Sequence, residues 1–119
     1  MDYLKQRKIT NFSNVKFVPF DNYGSATPGM SWHKITYKKE TGAGTYLLKM
    51  DPGAKSLPHE HLNYEEFIML EGELIDPDTK VFKKGDIITY EPGSSHSSYT
   101  KSGCLILVFM RSKNKPIKS

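Results

Sequence analysis

Turn signals punctuate this chain so densely that few architectures can accommodate it. They recur roughly every 8 to 15 residues, at Asp21–Gly24, Thr27–Gly29, Thr41–Gly44, Asp51–Gly53, Glu71–Gly72, Asp76–Asp78, Lys84–Asp86, Glu91–Gly93 and Ser102–Gly103. Between them lie short runs rich in β-branched and aromatic residues: Trp32–Tyr37, Thr45–Met50, Glu66–Leu70, Asp86–Tyr90 and Leu105–Met110. None sustains the three-to-four-residue apolar period of a packed helix, so the pattern predicts an all-β antiparallel sandwich or barrel. Side chains alternate across a strand. With Lys49 outside, Tyr46, Leu48 and Met50 should therefore line the interior, and Glu65, Phe67 and Met69 should share a face opposite Glu66, Ile68 and Leu70.

A length of 119 residues fits one domain with one core. We read residues 1–119 as that domain: core at about 28–111, an N-terminal arm and strand over 1–27, and a polar tail over 112–119. The longest apolar run, Cys104–Met110, is strand-sized and far short of the roughly 20 residues of a membrane span, so no membrane partner is expected. The N-terminus lacks the apolar stretch and cleavage site of a signal peptide, which makes a cytoplasmic location the expectation. One cysteine, Cys104, excludes an internal disulfide and a cysteine-rich zinc module. The net charge of +4 gathers at the ends, in Lys5, Arg7 and Lys8 and in Arg111, Lys113, Lys115 and Lys118. No nucleic-acid-binding motif accompanies it, so nucleic acid is not an expected partner.

The chemistry concentrates between Gly53 and His96. His59 and His61 are two apart, so on a strand both imidazoles leave the same face. Glu65 follows after a connection long enough to start the next strand, and His96 comes just after the Pro92-Gly93 turn. Imidazole nitrogens with one carboxylate oxygen suit iron(II), manganese, zinc, nickel or copper. Spacing alone leaves two readings open, a metal site or an accident of core and surface. The non-ligating nitrogen of each histidine would need an acceptor nearby.

The segment resembles the first cupin motif, in which Gly53, His59, His61, Glu65 and Gly72 satisfy every fixed position. Gly85, Gly93 and His96 match the second, with Glu91 in place of its proline and Thr100 in place of its asparagine. A resemblance spanning nearly the whole chain is to the ChrR-like cupins, a group that includes the cupin domain of ChrR anti-sigma factors and dihydroxyacetophenone dioxygenases. It rests on Pro28-Gly29, Thr45 to Gly53, Glu65-Glu66-Phe67, Leu70-Glu71-Gly72, Gly93-Ser94, Gly103-Cys104 and the histidines. The resemblance implies a double-stranded β-helix (a jelly-roll barrel) holding one divalent transition-metal ion, such as Fe, Zn, Mn or Ni, on His59, His61, Glu65 and His96. Sigma binding of the ChrR kind is not expected, since the paired cysteines of that zinc domain are missing.

Glu66 is the rival of Glu65; adjacent strand residues face opposite ways, and the spacing to Gly72 favours Glu65. His33 reads as a surface residue. Tyr46, Phe67 and Met69 are the candidate substrate contacts, while Trp32, Tyr37, Tyr99 and Cys104 could line a pocket or simply pack. Two functions of different class follow. One is a metal-dependent dioxygenase acting on a small enol, hydroxyketone or aromatic compound, with no catalytic group assignable beyond the ligands. The other is a non-catalytic zinc-binding sensor or ligand-binding module. A sugar-nucleotide epimerase on the same fold fits less well, because its chemistry needs an acid–base pair and basic pocket residues. A homodimer is expected, paired through the Leu105–Met110 strand or the N-terminal segment.

Overall fold

The computed structural model describes residues 3–117; Lys118, counted above among the terminal cations, lies outside them. Ten strands follow the predicted punctuation: β1 (Val18–Pro19), β2 (Met30–Lys34), β3 (Gly44–Met50), β4 (His59–His61), β5 (Glu65–Ile75), β6 (Val81–Lys83), β7 (Ile87–Tyr90), β8 (Ser95–His96), β9 (Cys104–Met110) and β10 (Asn114–Pro116). Among the described residues the helical content is a single 3-10 turn over Tyr3–Gln6, and no helix is long and apolar enough to cross a membrane.

All pairings are antiparallel. A seven-stranded sheet runs β1-β2-β3-β9-β5-β6, with β7 pairing onto β5, and a three-stranded sheet runs β10-β4-β8. The expected jelly roll is thus built from two sheets that do not join into one closed barrel. The physical reason lies in the smaller sheet: its strands are two or three residues long, and Pro58 and Pro116 withhold ladder donors. Only isolated bridges, Lys55 to Tyr99 and Ile75 to Tyr99, carry the ladder onward.

The core is the inner face of the large sheet. Trp32 on β2, Tyr46, Leu48 and Met50 on β3, Phe67 and Met69 on β5, and Ile106 and Val108 on β9 are all buried there, as the alternation requires. β9 sits between β3 and β5 with both edges paired. It cannot supply a free edge to a second copy, which corrects the expectation for Leu105–Met110.

Two departures shape the site. The register of β5 against β9 shifts between Met69 and Glu71, and Gly72 turns through φ +75° where a Cβ would meet the Gly103 carbonyl oxygen. Bent there, β5 leaves the large sheet and ends beside Tyr99, which delivers Asp76 beneath the small sheet. The second departure is at the C-terminus, where the segment expected as a polar tail instead forms β10 and pairs Asn114 with His61 and Pro116 with His59.

Candidate metal centre

The small sheet exists to hold imidazoles. His59 and His96 are direct partners across the β4–β8 ladder, so both rings leave the same face. His61, two residues along β4, joins them. Its backbone is fixed by the Pro92-Gly93 turn: the Gly93 N–H donates to the His61 carbonyl at 2.7 Å, and the His61 N–H donates to the Ser94 carbonyl at 2.8 Å. One ring nitrogen from each of His59, His61 and His96 lies within 4.8 Å of those of the other two. His59 and His61 are buried and His96 is half-buried.

Hydrogen bonds settle which nitrogens face inward. The Nδ1 of His59 donates to the Leu57 carbonyl at 2.8 Å. The Nδ1 of His61 donates to the Ser94 carbonyl at 3.1 Å and to the Ser94 hydroxyl oxygen at 2.9 Å. That hydroxyl has committed its own proton to the Glu91 carbonyl at 2.6 Å. The Nδ1 of His96 donates to Asp76 Oδ1 at 2.9 Å. A carbonyl or a carboxylate can only accept, so each Nδ1 carries the proton and each Nε2 keeps a bare lone pair. Burial depresses His59 and His61 to pKa values of about 4, the neighbouring histidines adding to the effect at His61; both rings are neutral at pH 7.

Glu65 opens β5 and is buried. Its Oε1 accepts from Asn114 Nδ2 at 2.8 Å and lies 3.5 Å from His61 Nε2. Burial pushes its pKa up, the Asn114 bond opposing. It adjoins the histidine cluster through His61 rather than sharing the tight mutual spacing of the three rings.

A metal ion fits these groups by two tests. His61 Nε2 is fully buried without a hydrogen-bond partner, a state that costs free energy unless something electrophilic meets the lone pair. Across from it stands a second acceptor, the Glu65 oxygen; two facing lone pairs call for a cation or a proton between them. Neutral imidazoles with their outer nitrogens anchored are the form in which histidine ligates metal.

Asp76, Tyr90, Ser98 and Asn114 were not singled out from sequence. Asp76 accepts from His96 Nδ1, from the Tyr90 hydroxyl at 2.7 Å and from the Ser98 hydroxyl. Burial alone would raise its pKa, but these hydrogen bonds, that from His96 foremost, hold it below the usual carboxylate range. The Tyr90 ring stacks on His61 at 4.6 Å and 6° and sits 4.2 Å from His96. An Asp-Pro-Asp run already accounts for itself as a turn, and nothing in its linear spacing points to a histidine 20 residues on.

The interior beside the rings is a cavity of about 50 Å³, walled by Tyr46, Phe67, Leu48 and Val108 from the large sheet and by His59, His96 and Glu65. Met69 is buried in the core and is not part of that wall. Trp32, Tyr37 and Cys104 pack in the core, where burial raises the Cys104 thiol to about 11, and Tyr99 is partly exposed. His33 is half-buried on β2, its Nδ1 bonded to the Lys16 carbonyl at 3.1 Å and far from the other histidines in the fold. Glu66 faces the opposite way from Glu65 and pairs with Arg111 at 3.1 Å.

The family model described as the ChrR cupin-like domain matches residues 5–114. No curated protein matches the chain in sequence. Among solved structures, an acetylacetone dioxygenase from Acinetobacter johnsonii superposes with a TM-score of 0.72 at 19% identity, over 100% of this chain and 86% of that one. The polyketide cyclase RemF from Streptomyces resistomycificus gives 0.72 at 22% identity, over 96% and 87%. Rhodobacter sphaeroides SigE in complex with the anti-sigma ChrR gives 0.65 at 21% identity, over 92% of this chain and 55% of that one. At such identities the likeness is one of fold, and these three proteins differ in what they do.

Proposed function

The chain belongs to the ChrR cupin-like family, and from that premise we propose that it is a metalloprotein holding one divalent transition-metal ion on His59, His61, His96 and Glu65 and acting as a dioxygenase on a small enol, hydroxyketone or aromatic substrate. The observation that carries the proposal is the arrangement of the three imidazoles, each with Nδ1 spent on an outward acceptor and Nε2 left bare toward the others. Such an ion, when bound, supplies a Lewis acid that polarises a substrate oxygen.

The remaining work belongs to the protein. Asp76 and Ser94 hold the rings of His96 and His61 in one tautomer and one orientation. Tyr46, Phe67, Leu48 and Val108 give the cavity an apolar wall that excludes water and favours a flat, small carbon skeleton. Dioxygen is the oxidant in this reading: one carbon–carbon bond of the substrate breaks, and both oxygen atoms end in the two carbonyl products. The cavity volume limits the substrate to a few heavy atoms beside the ion unless the entrance widens.

That same tightness favours the second reading, a zinc-binding sensor or small-ligand module without turnover. Elemental analysis of protein purified without an affinity tag, followed by oxygen uptake on the iron-loaded form, separates them. Iron with substrate-dependent oxygen uptake supports the dioxygenase. Tightly held zinc with no uptake supports the module, and absence of any stoichiometric metal overturns both. A cytoplasmic location completes this reading.

The homodimer also belongs to this proposal, with the N-terminal segment as its remaining contact now that both edges of β9 are paired. Sedimentation giving a monomer at micromolar concentration would remove it.

A further inference from the structure

A second cavity, of about 230 Å³, lies outside the first and shares two of its walls, Tyr23 and Asn114. Its other sides come from Asn22, Tyr37, Lys39 and Lys113. The partition is thin: the Asn114 amide donates inward to Glu65 at 2.8 Å and toward the Tyr23 hydroxyl at 3.4 Å. Whatever reaches the histidines from this side meets these groups first.

The groups facing that space are mostly donors without acceptors. Accepting from Asn114, the Tyr23 hydroxyl keeps its own proton unspent. Asn22 has committed its carbonyl to the Tyr37 hydroxyl at 2.9 Å, leaving its amide hydrogens free. No ion pair engages Lys113 among the described residues, and Lys39 makes two exposed contacts to Asp21, to its carboxylate at 3.8 Å and to its backbone carbonyl at 3.4 Å, of the kind worth little in water. No carboxylate lines the cavity.

Lys113 is also held in place. Gly42, at φ +71°, packs so closely on it that a Cβ there would overlap the Lys113 backbone. With β10 pinned to β4 just beyond, the lysine stands at the rim of the cavity rather than on a loose end.

We propose that this lysine-flanked vestibule binds a small organic anion, so that the substrate or ligand of the site carries a carboxylate or an equivalent negative group. The inference deepens the metal-site proposal and rests on it for the identity of the substrate, but not for the binding itself. Two cations over a donor-lined recess concentrate anions and fix their orientation. Tyr23 and Asn114 would then present the carbon skeleton to the inner cavity while the charge stays outside.

Benzoate and its neutral isostere benzamide test this, titrated calorimetrically into the full-length chain loaded with zinc. Benzoate should bind, and benzamide should bind more weakly. In a Lys39→Ala/Lys113→Ala variant, benzoate should lose roughly five-fold in affinity, the scale of two exposed ion pairs, while benzamide is unchanged. The Lys39→Arg/Lys113→Arg variant keeps the charge and should bind benzoate like the wild type, which guards against a folding artefact. Equal binding of the two probes, no binding of benzoate, or an unchanged affinity in the alanine variant would overturn the proposal. Zinc content measured on the same samples reports on the histidine site separately, since the lysine effect should persist in metal-free protein.

Discussion

The two sheets of this molecule divide its labour. The large sheet has strands of up to 11 residues, an inner face of buried aromatic and aliphatic side chains, and ladders that run unbroken for seven pairs between β3 and β9. The small sheet has strands of two or three residues and places charged, polar or imidazole side chains at every paired position except Pro116. Burial of apolar area can stabilise only the first. The second is positioned by hydrogen bonds to turns and by the large sheet beneath it. Stability and chemistry should therefore respond to mutation separately.

The largest effect should come from the large sheet. Phe67 is 2% exposed and packs in the core between the cavity and the large sheet, so Phe67→Ala should cost about 3–5 kcal/mol in denaturant-monitored unfolding. On the small sheet, His96→Ala should abolish stoichiometric metal binding by elemental analysis while circular dichroism still reports the folded β protein. If His96→Ala destabilises as much as Phe67→Ala, the division fails; if metal content is unchanged, the third imidazole is wrongly assigned.

A partner one step removed should act more gently. Asp76 orients His96 through Oδ1 and receives the Tyr90 and Ser98 hydroxyls, so Asp76→Ala should weaken metal binding about 10–100-fold without abolishing it. Competition against a chelator of known affinity measures this directly. An effect as complete as that of His96→Ala would make Asp76 a ligand in its own right.

Acid sharpens the same contrast. His59 and His61 have folded-state pKa values near 4, below the roughly 6.5 of a free histidine, so the unfolded chain binds more protons between these limits. Their contribution to stability is fully present above about pH 6.5 and is lost as pH falls towards 4. Metal-free protein should show its melting temperature falling across that window. His59→Gln should flatten the slope.

Much of the architecture was legible because turn chemistry and alternation are local. Tyr46, Leu48 and Met50 fall on the inner face as their spacing from Lys49 demands, and His59 and His61 share a face because a strand has period two. What stayed hidden depends on long-range register. Asn114 reads as one polar residue in a lysine-rich end, and only its pairing with His61 carries its amide to Glu65. Asp76 owes its place to the bulge near Leu70 and the bend at Gly72, neither of which sets a distance along the chain. Thr100, a departure from the cupin motif, turns out to be fully buried, its hydroxyl donating to the Glu73 carbonyl at 2.6 Å and accepting from Gly103. The threonine thus ties the end of β5 to the loop before β9.

The smallest expected effect decides between the two adjacent glutamates. Glu66 lies on the outer face of β5, where it meets Arg111 at 3.1 Å and the Thr89 hydroxyl at 3.3 Å with both charged side chains substantially exposed. An ion pair so wetted is worth well under 1 kcal/mol, so Glu66→Gln should change unfolding by about 0.5 kcal/mol or less. Metal content should not change at all, because the side chain is on the wrong side of the strand. Glu65→Gln keeps the shape and the Asn114 contact but removes the charge that faces His61, and metal affinity should fall while stability holds or rises as a buried charge disappears. The two variants differ by one position along a strand, so comparing them isolates which face the chemistry occupies. Should Glu66→Gln lose metal and Glu65→Gln retain it, the inner surface of β5 would have been assigned to the wrong set of alternate residues.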